Sequence, residues 1–593
     1  MESFDIPDIQ EVPLQSAPFR SRVERFLSAN GLRFETVDRY YTVLDSRGEI
    51  VAGAGLVGDI IKCVAVSRDY RSGGMMVPLV SRIILDASSC GVSCLKVFTK
   101  PDYEKLFASL GFRTLASAPK AVLMENGRGL EEYCAYLSHF RKDGRCGVII
   151  MNANPFTLGH EYLVRQAAES MDQVVVIPVR EDLSLFPYTE RLEMIRKGCK
   201  GFAVVAEGSD YQISAATFPT YFLKDLSDAA ETQMRLDIDL FGRHIAPALG
   251  AVVRFVGSES SDPLTARYNA LMREILPSYG VRVEEIRRLK SDNGRFVRAS
   301  LVRRQLADGR YHKAALLTPD STRPYLMASL AERALLAELE APLKPGLVGP
   351  DSQGAHKDMD YALMRRSIAA IRPFFPAMAL AGSAGSLRQL GIDAEKAMMA
   401  ASGGVNTHRG AIYALGIALN AFAGVSAGNP QPSKLKQLMR SACKKIAEGV
   451  LRESQEGRRQ QPAGLSHGEA AVQAFGVKGA RQMALDGYKQ LLGSWLPYYS
   501  EIKKQPYAIQ RTLVFLISTL DDTCIIHRAG YERSRQLRED AADVFGKIAR
   551  GSVYGNTKQL LETMSRQYAA EGISPGGAAD MLALTVFIDS ILN

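Results

Sequence analysis

The fold of the middle of this chain is decided by one stretch, Gly147-Val148-Ile149-Ile150-Met151-Asn152-Ala153-Asn154-Pro155-Phe156-Thr157-Leu158-Gly159-His160. It opens on an almost continuous apolar run, which is typical of a strand buried on both faces of a parallel sheet. A tight loop follows and leads into a helical pattern over residues 160–169. Backbone N–H groups at such a helix start bind phosphate, and Gly159 lets the backbone approach a ligand closely. Thr157 and His160 add a hydroxyl and an imidazole, so the stretch predicts a nucleotide site; an ordinary strand-to-helix turn is the alternative.

Around this stretch, residues 140–325 alternate between strand and helix patterns. After the first strand come helix 160–169, strand 174–179, helix 189–197 and strands 252–256 and 281–286. Such alternation is typical of a parallel sheet with helical crossovers. We therefore predict one doubly wound α/β domain here.

Residues 1–125 have a mixed α/β pattern. Two short strands, 40–44 and 49–54, are joined by the turn Asp45-Ser46-Arg47-Gly48, which indicates a hairpin. A strand at 60–66, a glycine-bearing loop at 71–74, a helix at 76–87, a strand at 94–98 and a helix at 103–110 follow.

Residues 326–593 have mainly helical patterns, broken by loops that contain glycine and proline. The predicted helices are 326–340, 361–372, 412–423, 435–453, 480–492, 508–519 and 578–592. The polar segment 318–324, bracketed by two prolines, is the predicted linker in front of them.

Five loops of this helical part combine glycine or proline with His, Asp or Lys. They are residues 344–348, 354–360, 404–410, 521–530 and 573–580. Each loop alone is typical of helix punctuation, with glycine after a helix and Asp or Asn before one. Loops at one end of a helical domain can also converge on one polyanionic ligand, where acidic residues hold Mg²⁺ and basic residues bind phosphates.

Composition excludes several classes of protein. The chain has 593 residues, and 73 Lys and Arg against 64 Asp and Glu give a net charge of +9, which is small for this length. Eight cysteines without a CxxC pair indicate neither a zinc ribbon nor a disulfide scaffold. The sequence has no apolar run of membrane-spanning length and no signal-peptide pattern at its start, so we expect a cytoplasmic protein.

The run Asn152-Ala153-Asn154-Pro155-Phe156-Thr157-Leu158-Gly159-His160 resembles the phosphate-binding signature of the nucleotidylyltransferase superfamily, and in particular the citrate lyase ligase family. The likeness continues, in the order of that family, through residues 186–191, 216–222, 256–259, 268–269 and 298–303. It implies ATP-dependent activation of acetate to acetyl-adenylate, with pyrophosphate leaving. The acetyl group then passes to the thiol of the prosthetic group on the citrate lyase acyl carrier protein.

The same resemblance implies the site residues of this part of the chain. His160 is the catalytic residue, and the groups that bind the ATP phosphates, with Mg²⁺, are Asn154, Thr157, Gly159, Ser300 and Arg303. Ser300 is expected to cap a helix start, with Arg303 one turn into that helix. Arg191 is a weaker candidate, because an Arg at the start of a helix is more often a surface charge. Thr157 stands where many superfamily members carry His, which leaves more of the role to His160.

The N-terminal part resembles a GNAT acetyltransferase module in its strand 60–66, the loop Arg71-Ser72-Gly73-Gly74, helix 76–87 and residues 103–112. In such modules a glycine-rich loop binds the CoA pyrophosphate through backbone N–H groups. Met76 stands where a small residue is usual, so the resemblance implies the fold more than an independent acetyl-CoA activity. We expect this part to hold the CoA-like arm or to dock the carrier protein.

The five loops of the helical part match, in order, the triphosphoribosyl-dephospho-CoA synthase family. The reaction implied is attack of the 2′-hydroxyl of 3′-dephospho-CoA on the anomeric carbon of the ATP ribose, with adenine leaving. By matching position, the resemblance assigns Mg²⁺ binding and the base role to Asp358, Asp360, Asp521 and Asp522. It assigns phosphate binding to Lys344, Lys357, His408 and Arg528, with Glu338 as a further carboxylate.

The sequence thus predicts a multidomain, bifunctional enzyme of citrate lyase maturation. Its expected domains are an α+β GNAT-like domain at 1–130, an α/β Rossmann-like nucleotidylyltransferase domain at 140–322 and an all-α domain at 326–593. ATP and Mg²⁺ are expected, without a tightly bound organic cofactor, nucleic acid or membrane. The alternatives are a CoA-biosynthesis-type adenylyltransferase that takes 4′-phosphopantetheine, fused to an uncharacterised helical domain, and a non-catalytic carrier-protein scaffold.

Overall fold

The computed structural model describes residues 8–181, 184–212, 218–219, 222, 227–259, 262–291, 294–428, 431–460, 467–550 and 554–592. The sequence motif at 216–222 therefore lies mostly outside the described residues. Contacts divide the chain into two compact units, Met1–Val297 and Arg298–Asn593.

The first unit begins with a mixed sheet. Its strands are β1 (Ile9–Glu11), β2 (Arg39–Leu44), β3 (Ile50–Val57), β4 (Ile60–Val66), β5 (Lys96–Thr99), β6 (Arg113–Ala118) and β7 (Ala121–Glu125), in the order β1-β2-β3-β4-β5-β7-β6. Only β4 and β5 pair in parallel. The predicted hairpin joins β2 to β3, where Asp45 Oδ1 accepts hydrogen bonds from the backbone N–H groups of Arg47 and Glu49. The helices are α1 (Ala17–Ala29), α2 (Met76–Ser89), α3 (Glu104–Ser109) and α4 (Gly129–Ser138).

A parallel sheet follows in the same unit. Its strands are β8 (Cys146–Met151), β9 (Gln173–Pro178), β10 (Val204–Val205), β11 (Ala251–Gly257) and β12 (Arg282–Ile286), in the order β10-β9-β8-β11-β12. The helices are α5 (Leu158–Ser170), α6 (Tyr188–Gly198), α7 (Ser227–Leu240), α8 (Ala246–Leu249) and α9 (Pro263–Ile275). The strand order reverses between β8 and β11, and in such sheets ligands bind beyond the carboxyl ends of the strands at that point.

The two sheets of the first unit share one hydrophobic core. Phe98 and Leu123 of the mixed sheet belong to the same buried cluster as Val148 and Val175 of the parallel sheet. Polar contacts cross as well: Tyr211 Oη donates to the buried Glu125 carboxylate at 2.6 Å. The predicted segments 1–130 and 140–322 are therefore packed together up to Val297.

The described part of the second unit is helical. Its helices are α10 (Ala299–Ala307), α11 (Tyr311–Ala315), α12 (Arg323–Glu340), α13 (Tyr361–Ile371), α14 (Phe375–Ala379), α15 (Ala384–Ala401), α16 (Arg409–Ala427), α17 (Pro432–Gln460), α18 (His467–Phe475), α19 (Ala480–Leu485), α20 (Leu496–Ile502), α21 (Ala508–Thr519), α22 (Thr523–Ala529), α23 (Tyr531–Arg550), α24 (Tyr554–Ala570) and α25 (Gly576–Leu592). The apolar helix α25 packs against α12, α16 and α21 and forms the centre of the unit. Thr318 and Thr322, in the predicted linker, are buried within this unit.

Helix α16 is long and apolar enough to cross a membrane by length and composition, with a mean hydropathy of 1.5 in its most apolar window. More than half of that window, 56%, is buried inside the unit. The helix packs against α14, α17 and α25, so its apolar surface is used in the protein core.

Candidate active sites

The first candidate site lies at the carboxyl end of β8, where the loop 152–157 leads into α5. Thr157 is the N-cap of α5, and its side chain forms a capping box with His160. The backbone N–H of Thr157 donates to Nδ1 of His160 at 3.0 Å, while the backbone N–H of His160 donates to Oγ1 of Thr157 at 3.4 Å. The two side chains also meet, with Oγ1 and Nδ1 2.9 Å apart. The helix start therefore fixes the imidazole in one orientation.

This geometry determines the protonation state of His160. Burial and the positive charge of Arg288 lower the pKa of His160 to about 4, so the ring is neutral near pH 7. Because Nδ1 accepts the N–H of Thr157, the single ring proton belongs on Nε2. His160 is therefore a neutral hydrogen-bond donor. Thr157 is only 1% exposed and its hydroxyl is engaged with His160, so it positions the imidazole.

Arg191 clamps the loops around this site instead of forming a surface charge. The side chain is fully buried, and its guanidinium donates to the carbonyl oxygens of Asn152 at 2.8 Å and Val179 at 2.9 Å. It also donates to Phe186 O at 3.0 Å and to Glu181 O. These carbonyls follow β8 and β9, so one side chain ties together the loops at the carboxyl edge of the sheet.

Two further residues predicted for this site, Asn154 and Gly159, make contacts within the protein. The Asn154 side chain accepts a hydrogen bond from the backbone N–H of Phe186 at 3.3 Å. A Cβ at Gly159 would lie 3.2 Å from Val297 O, so the backbone is closely packed there. Sequence reasoning missed Arg288, which follows β12 and donates from Nε to Ser258 O at 2.7 Å. Its place two residues beyond the end of a parallel strand is the signal that could have pointed to it.

Ser300 and Arg303 lie in α10, at the start of the second unit. The N-cap of α10 is Arg298, and Ser300 is the second helical residue, so the predicted capping role of Ser300 is wrong. The reason is that the extended backbone ends at Arg298, two residues earlier than the sequence pattern indicates. Phosphate binding by Ser300 and Arg303 stays a prediction.

The second candidate site is a cavity of about 820 Å³ in the second unit. The five loops that the sequence singles out all contribute to its wall. Residues from them that line it include Leu347, Val348, His356, Asp358, Asn406, His408, Arg409, Gly410, Asp521, Asp522, Cys524, Arg528, Ser574, Gly577 and Asp580. Glu338, at the end of α12, lines it too. Loops separated by more than two hundred residues thus surround one chamber.

Three predicted ligand residues are not among those that line the cavity. Asp360 is the N-cap of α13 and accepts the backbone N–H of Leu363 at 2.7 Å. Lys344 is buried and its Nζ donates to Glu338 Oε1 at 2.6 Å, which holds that carboxylate at the cavity wall. Lys357 is exposed on its loop. Helix capping and ion pairing account for the first two positions.

Asp522 caps two helices at once. Its Oδ1 accepts the backbone N–H groups of Cys524 at 2.8 Å and Ile525 at 3.4 Å, at the start of α22. Its Oδ2 accepts the N–H of Ala578 at 2.8 Å, at the start of α25, and the Gly577 backbone adds a further bond. Burial raises the pKa of Asp522, and these bonds oppose that effect. A carboxylate offers about four acceptor positions, so Asp522 is occupied by backbone groups.

Two histidines are held in the cavity wall by hydroxyl groups. His408, 5% exposed, is placed by a contact of 2.8 Å between its Nδ1 and Ser367 Oγ, and Ser367 Oγ lies 2.6 Å from Thr407 Oγ1. Burial and the charge of Lys344 lower the pKa of His408 to about 4. His356 Nε2 lies 2.8 Å from the hydroxyl of Ser574. Both side chains are fixed before any substrate binds.

Asp580 is the carboxylate that the sequence analysis left without a role. It lines the cavity from α25 and accepts a hydrogen bond from the backbone of Ala411, near the start of α16. A Cβ at Gly410 would lie 1.9 Å from Asp580 Oδ2, so the carboxylate requires a glycine there. Burial and the charges of Asp522 and Glu338 raise the pKa of Asp580 well above its ordinary range.

The comparisons with known proteins also divide the chain into two parts, but these meet at residues 324–326, whereas the two compact units meet at Val297 and Arg298. Residues 146–326 match the family model described as the citrate lyase ligase C-terminal domain, and residues 324–593 match that of ATP:dephospho-CoA triphosphoribosyl transferase. A citrate (pro-3S)-lyase ligase of Haemophilus influenzae is 40% identical over 52% of this chain and 94% of that protein. One from Klebsiella pneumoniae is 38% identical over 54% of this chain and 95% of that protein.

The helical half has relatives of its own. A protein of Azotobacter vinelandii named a probable 2-(5''-triphosphoribosyl)-3'-dephosphocoenzyme-A synthase is 36% identical over 44% of this chain and 90% of that protein. Each half of the chain therefore spans nearly the full length of one group of relatives. The chain belongs to the citrate lyase ligase family in its first half and to the triphosphoribosyl-dephospho-CoA synthase family in its second, and it is a bifunctional enzyme, a ligase and a transferase of citrate lyase maturation.

Proposed function

We propose that the first unit activates acetate with ATP and passes the acetyl group to the prosthetic-group thiol of the citrate lyase acyl carrier protein. The strand–loop–helix geometry at Thr157 and His160 supports this assignment, because it is a phosphate-binding arrangement at a switch point of a parallel sheet. Such a reaction needs little covalent chemistry from the protein. It needs the reacting groups held in line and donors for the charge that develops on phosphate.

His160 supplies one of those donors. A neutral imidazole with its proton on Nε2 donates a hydrogen bond to a phosphate oxygen without transferring a proton. Arg191 fixes the surrounding loops, and Arg288 adds positive charge near His160. Phosphate binding by Ser300 and Arg303, which lie in α10 of the second unit, stays a prediction from the sequence.

The mixed sheet at the N-terminus is proposed to be a GNAT-like domain that binds the CoA-like arm or docks the carrier protein. Gly74 has a φ of +64° directly before α2, and Arg71 Nε donates to Val66 O at 3.3 Å, so this loop has a defined turn. Substitution of Arg71 and Gly74 should raise the KM for the carrier protein whose prosthetic-group thiol is free. An unchanged KM would contradict this role.

For the second unit we propose that ATP and 3′-dephospho-CoA react in the cavity, releasing adenine and leaving the triphosphate on the product. The observation that supports this most directly is the convergence of five polar loops on one chamber of about 820 Å³, a volume typical of sites for ligands of nucleotide size. Arg528 and His408 are the proposed phosphate ligands. Mg²⁺ would neutralise the charge of the triphosphate.

The side chains that line the cavity fit Mg²⁺ only if phosphate groups of the bound substrate supply further ligands. Within the described ranges, no group of three His, Cys, Asp or Glu side chains is placed to hold a metal ion. Mg²⁺ commonly uses one or two carboxylates with substrate phosphates and water. Asp358 and Asp521 line the cavity and are the proposed protein ligands, whereas Asp522 is occupied by backbone N–H groups.

We further propose a cytoplasmic location without nucleic acid or membrane as partner. The small net charge and the buried position of α16 support this. Acetate, ATP, dephospho-CoA and the carrier protein are then the partners of the enzyme.

One experiment tests both halves in the same molecule. The full-length protein is incubated with ATP, Mg²⁺ and 3′-dephospho-CoA, and free adenine is measured by chromatography; acetate-dependent exchange of pyrophosphate into ATP is measured in parallel. We expect both reactions, and His160→Ala should abolish the exchange but leave adenine release intact. Exchange that requires 4′-phosphopantetheine would favour the adenylyltransferase alternative. ATP left unchanged with every partner present would favour a scaffold.

A further inference from the structure

We propose that Asp580 is the catalytic base of the transferase, the group that accepts the proton of the attacking 2′-hydroxyl of dephospho-CoA. This inference rests on the proposed function of the second unit. Asp580 lies in the fifth loop segment, in the first turns of α25. It is not among the residues to which the family resemblance assigns a role.

The contacts of the other carboxylates leave them less suited to accept a proton. Asp522 is occupied by backbone N–H groups of two helices. Glu338 is bound to the buried Nζ of Lys344, and Asp521 is ion-paired with Arg538. Asp358 is 61% exposed in its side chain, and Asp360 caps α13. An ion-paired or solvated carboxylate is a weaker base than a buried one.

Asp580 combines exposure to the cavity with a fixed orientation. The backbone N–H of Ala411 binds its carboxylate, and the missing side chain of Gly410 lets Oδ2 lie against the start of α16. One backbone hydrogen bond leaves acceptor positions on the carboxylate for a substrate hydroxyl.

The electrostatic surroundings suit a base. The carboxylates of Asp522 and Glu338 act on Asp580 and, together with burial, raise its pKa. A carboxylate with a raised pKa binds a proton more strongly than an ordinary one, as the acceptor of the hydroxyl proton must.

The step balances without any further reactant. Asp580 takes the proton from the 2′-hydroxyl as its oxygen forms a bond to the anomeric carbon of the ATP ribose. The bond from that carbon to N9 of adenine breaks, and adenine leaves with the electron pair. The leaving base takes up a proton from solvent or from the protonated Asp580, and the triphosphate is unchanged.

The first test is Asp580→Asn in the full-length protein, because asparagine keeps an oxygen for the Ala411 N–H but cannot accept the proton. We expect adenine release to fall by about 10²- to 10⁴-fold, with ATP affinity within about threefold of the parent protein. Asp589→Asn is the matched control: Asp589 is a buried acid on the same helix, bonded to Ser500 and Lys503 and not among the residues that line the cavity. It should keep most of its activity.

Retention of more than a tenth of the rate by Asp580→Asn, or a loss of ATP binding that accounts for the lower rate, would overturn the proposal. Absence of adenine release from the parent protein would instead contradict the proposed function. If Asp580→Asn does not fold, Asp580→Ala with added formate replaces it, since a small carboxylate can occupy the gap. Formate should raise the rate of that variant at least tenfold, and no rescue in folded protein would count against Asp580 as the base.

Discussion

The guanidinium of Arg191 donates to carbonyl oxygens on the two loops that frame the first site. At this scale several side chains bind other groups of the protein where the sequence indicated substrate contacts. Thr157 binds His160, Asp522 binds two helix starts, and Lys344 binds Glu338. Residue type and spacing singled out the five loops that line the cavity of the second unit, while the roles of the site residues stay predictions. They could not show which partner each polar group has, because that depends on burial and on contacts distant in sequence.

The Arg191→Lys variant tests whether the hydrogen bonds of Arg191 to the loop carbonyl groups stabilise the first site. A lysine has three donors in place of the planar guanidinium and cannot reach the same carbonyls, so buried C=O groups lose their partners. We expect the first unit to lose about 3 kcal/mol of stability, measured by denaturant unfolding, and pyrophosphate exchange to fall at least tenfold. Adenine release should not change.

Arg196→Lys on the same helix is the matched control, since its guanidinium is partly exposed and paired with Glu193 and Glu207. Surface ion pairs contribute about 0–1 kcal/mol. If Arg191→Lys and Arg196→Lys lost equal amounts of stability, the hydrogen bonds of Arg191 to buried carbonyl groups would not contribute more than a surface ion pair.

Whole elements were predicted best where the apolar pattern is strong. Helix α21 runs from Ala508 to Thr519 as the sequence indicates, whereas the polar helices α23 and α24 were not predicted. The predicted helix 480–492 ends early: α19 stops at Leu485, and a π-helical turn spans Leu491–Trp495. Between them Gly487 has a φ of +71°, and a Cβ there would lie 2.4 Å from Arg440 O. The close approach of α17 breaks the helix, and local sequence does not contain that information.

The start of α16 should make the second unit sensitive to acid. The pKa of His408 is about 4 in the folded protein and about 6.5 when unfolded, so between these values the unfolded state binds more protons. The free energy of unfolding is therefore unaffected by His408 above about pH 6.5 and decreases as the pH falls from there toward 4. Between pH 7 and pH 5 this decrease is about 2 kcal/mol.

Denaturant unfolding at pH 7 and pH 5 measures this effect. The free energy of unfolding of the parent protein should fall between pH 7 and pH 5. In the His408→Asn variant this fall should be smaller by about 2 kcal/mol, because the titrating group is gone. A variant whose pH dependence matches that of the parent protein would show that His408 is not the group responsible.

At the scale of the whole molecule, contacts divide the chain into two compact units, whereas the three domains expected from the sequence stay a prediction. The mixed and parallel sheets share a core in which Phe98 and Leu123 pack with Val148 and Val175. The apolar residues of these strands indicate that the strands have buried faces. They do not indicate which sheet covers each face, so the shared core was not predictable from the sequence.

A fragment of residues 146–326 should therefore not fold alone, although these residues match a family model. Without the mixed sheet, the apolar surface around Leu236 and Leu240 is exposed to water. We expect a fragment of residues 1–326 to give a cooperative thermal transition and the shorter one to lack it. A cooperative transition in both would show that the shared core is not required.

The double cap at Asp522 has a consequence for the motions of the second unit. Amide hydrogens of Cys524 and Ala578 share one acceptor side chain although Ala578 lies 56 residues beyond Asp522. In hydrogen–deuterium exchange these amides should therefore become labelled at a common rate, because rotation of the carboxylate releases both together. The starts of α22 and α25, both of which line the cavity, should then open as one cooperative unit.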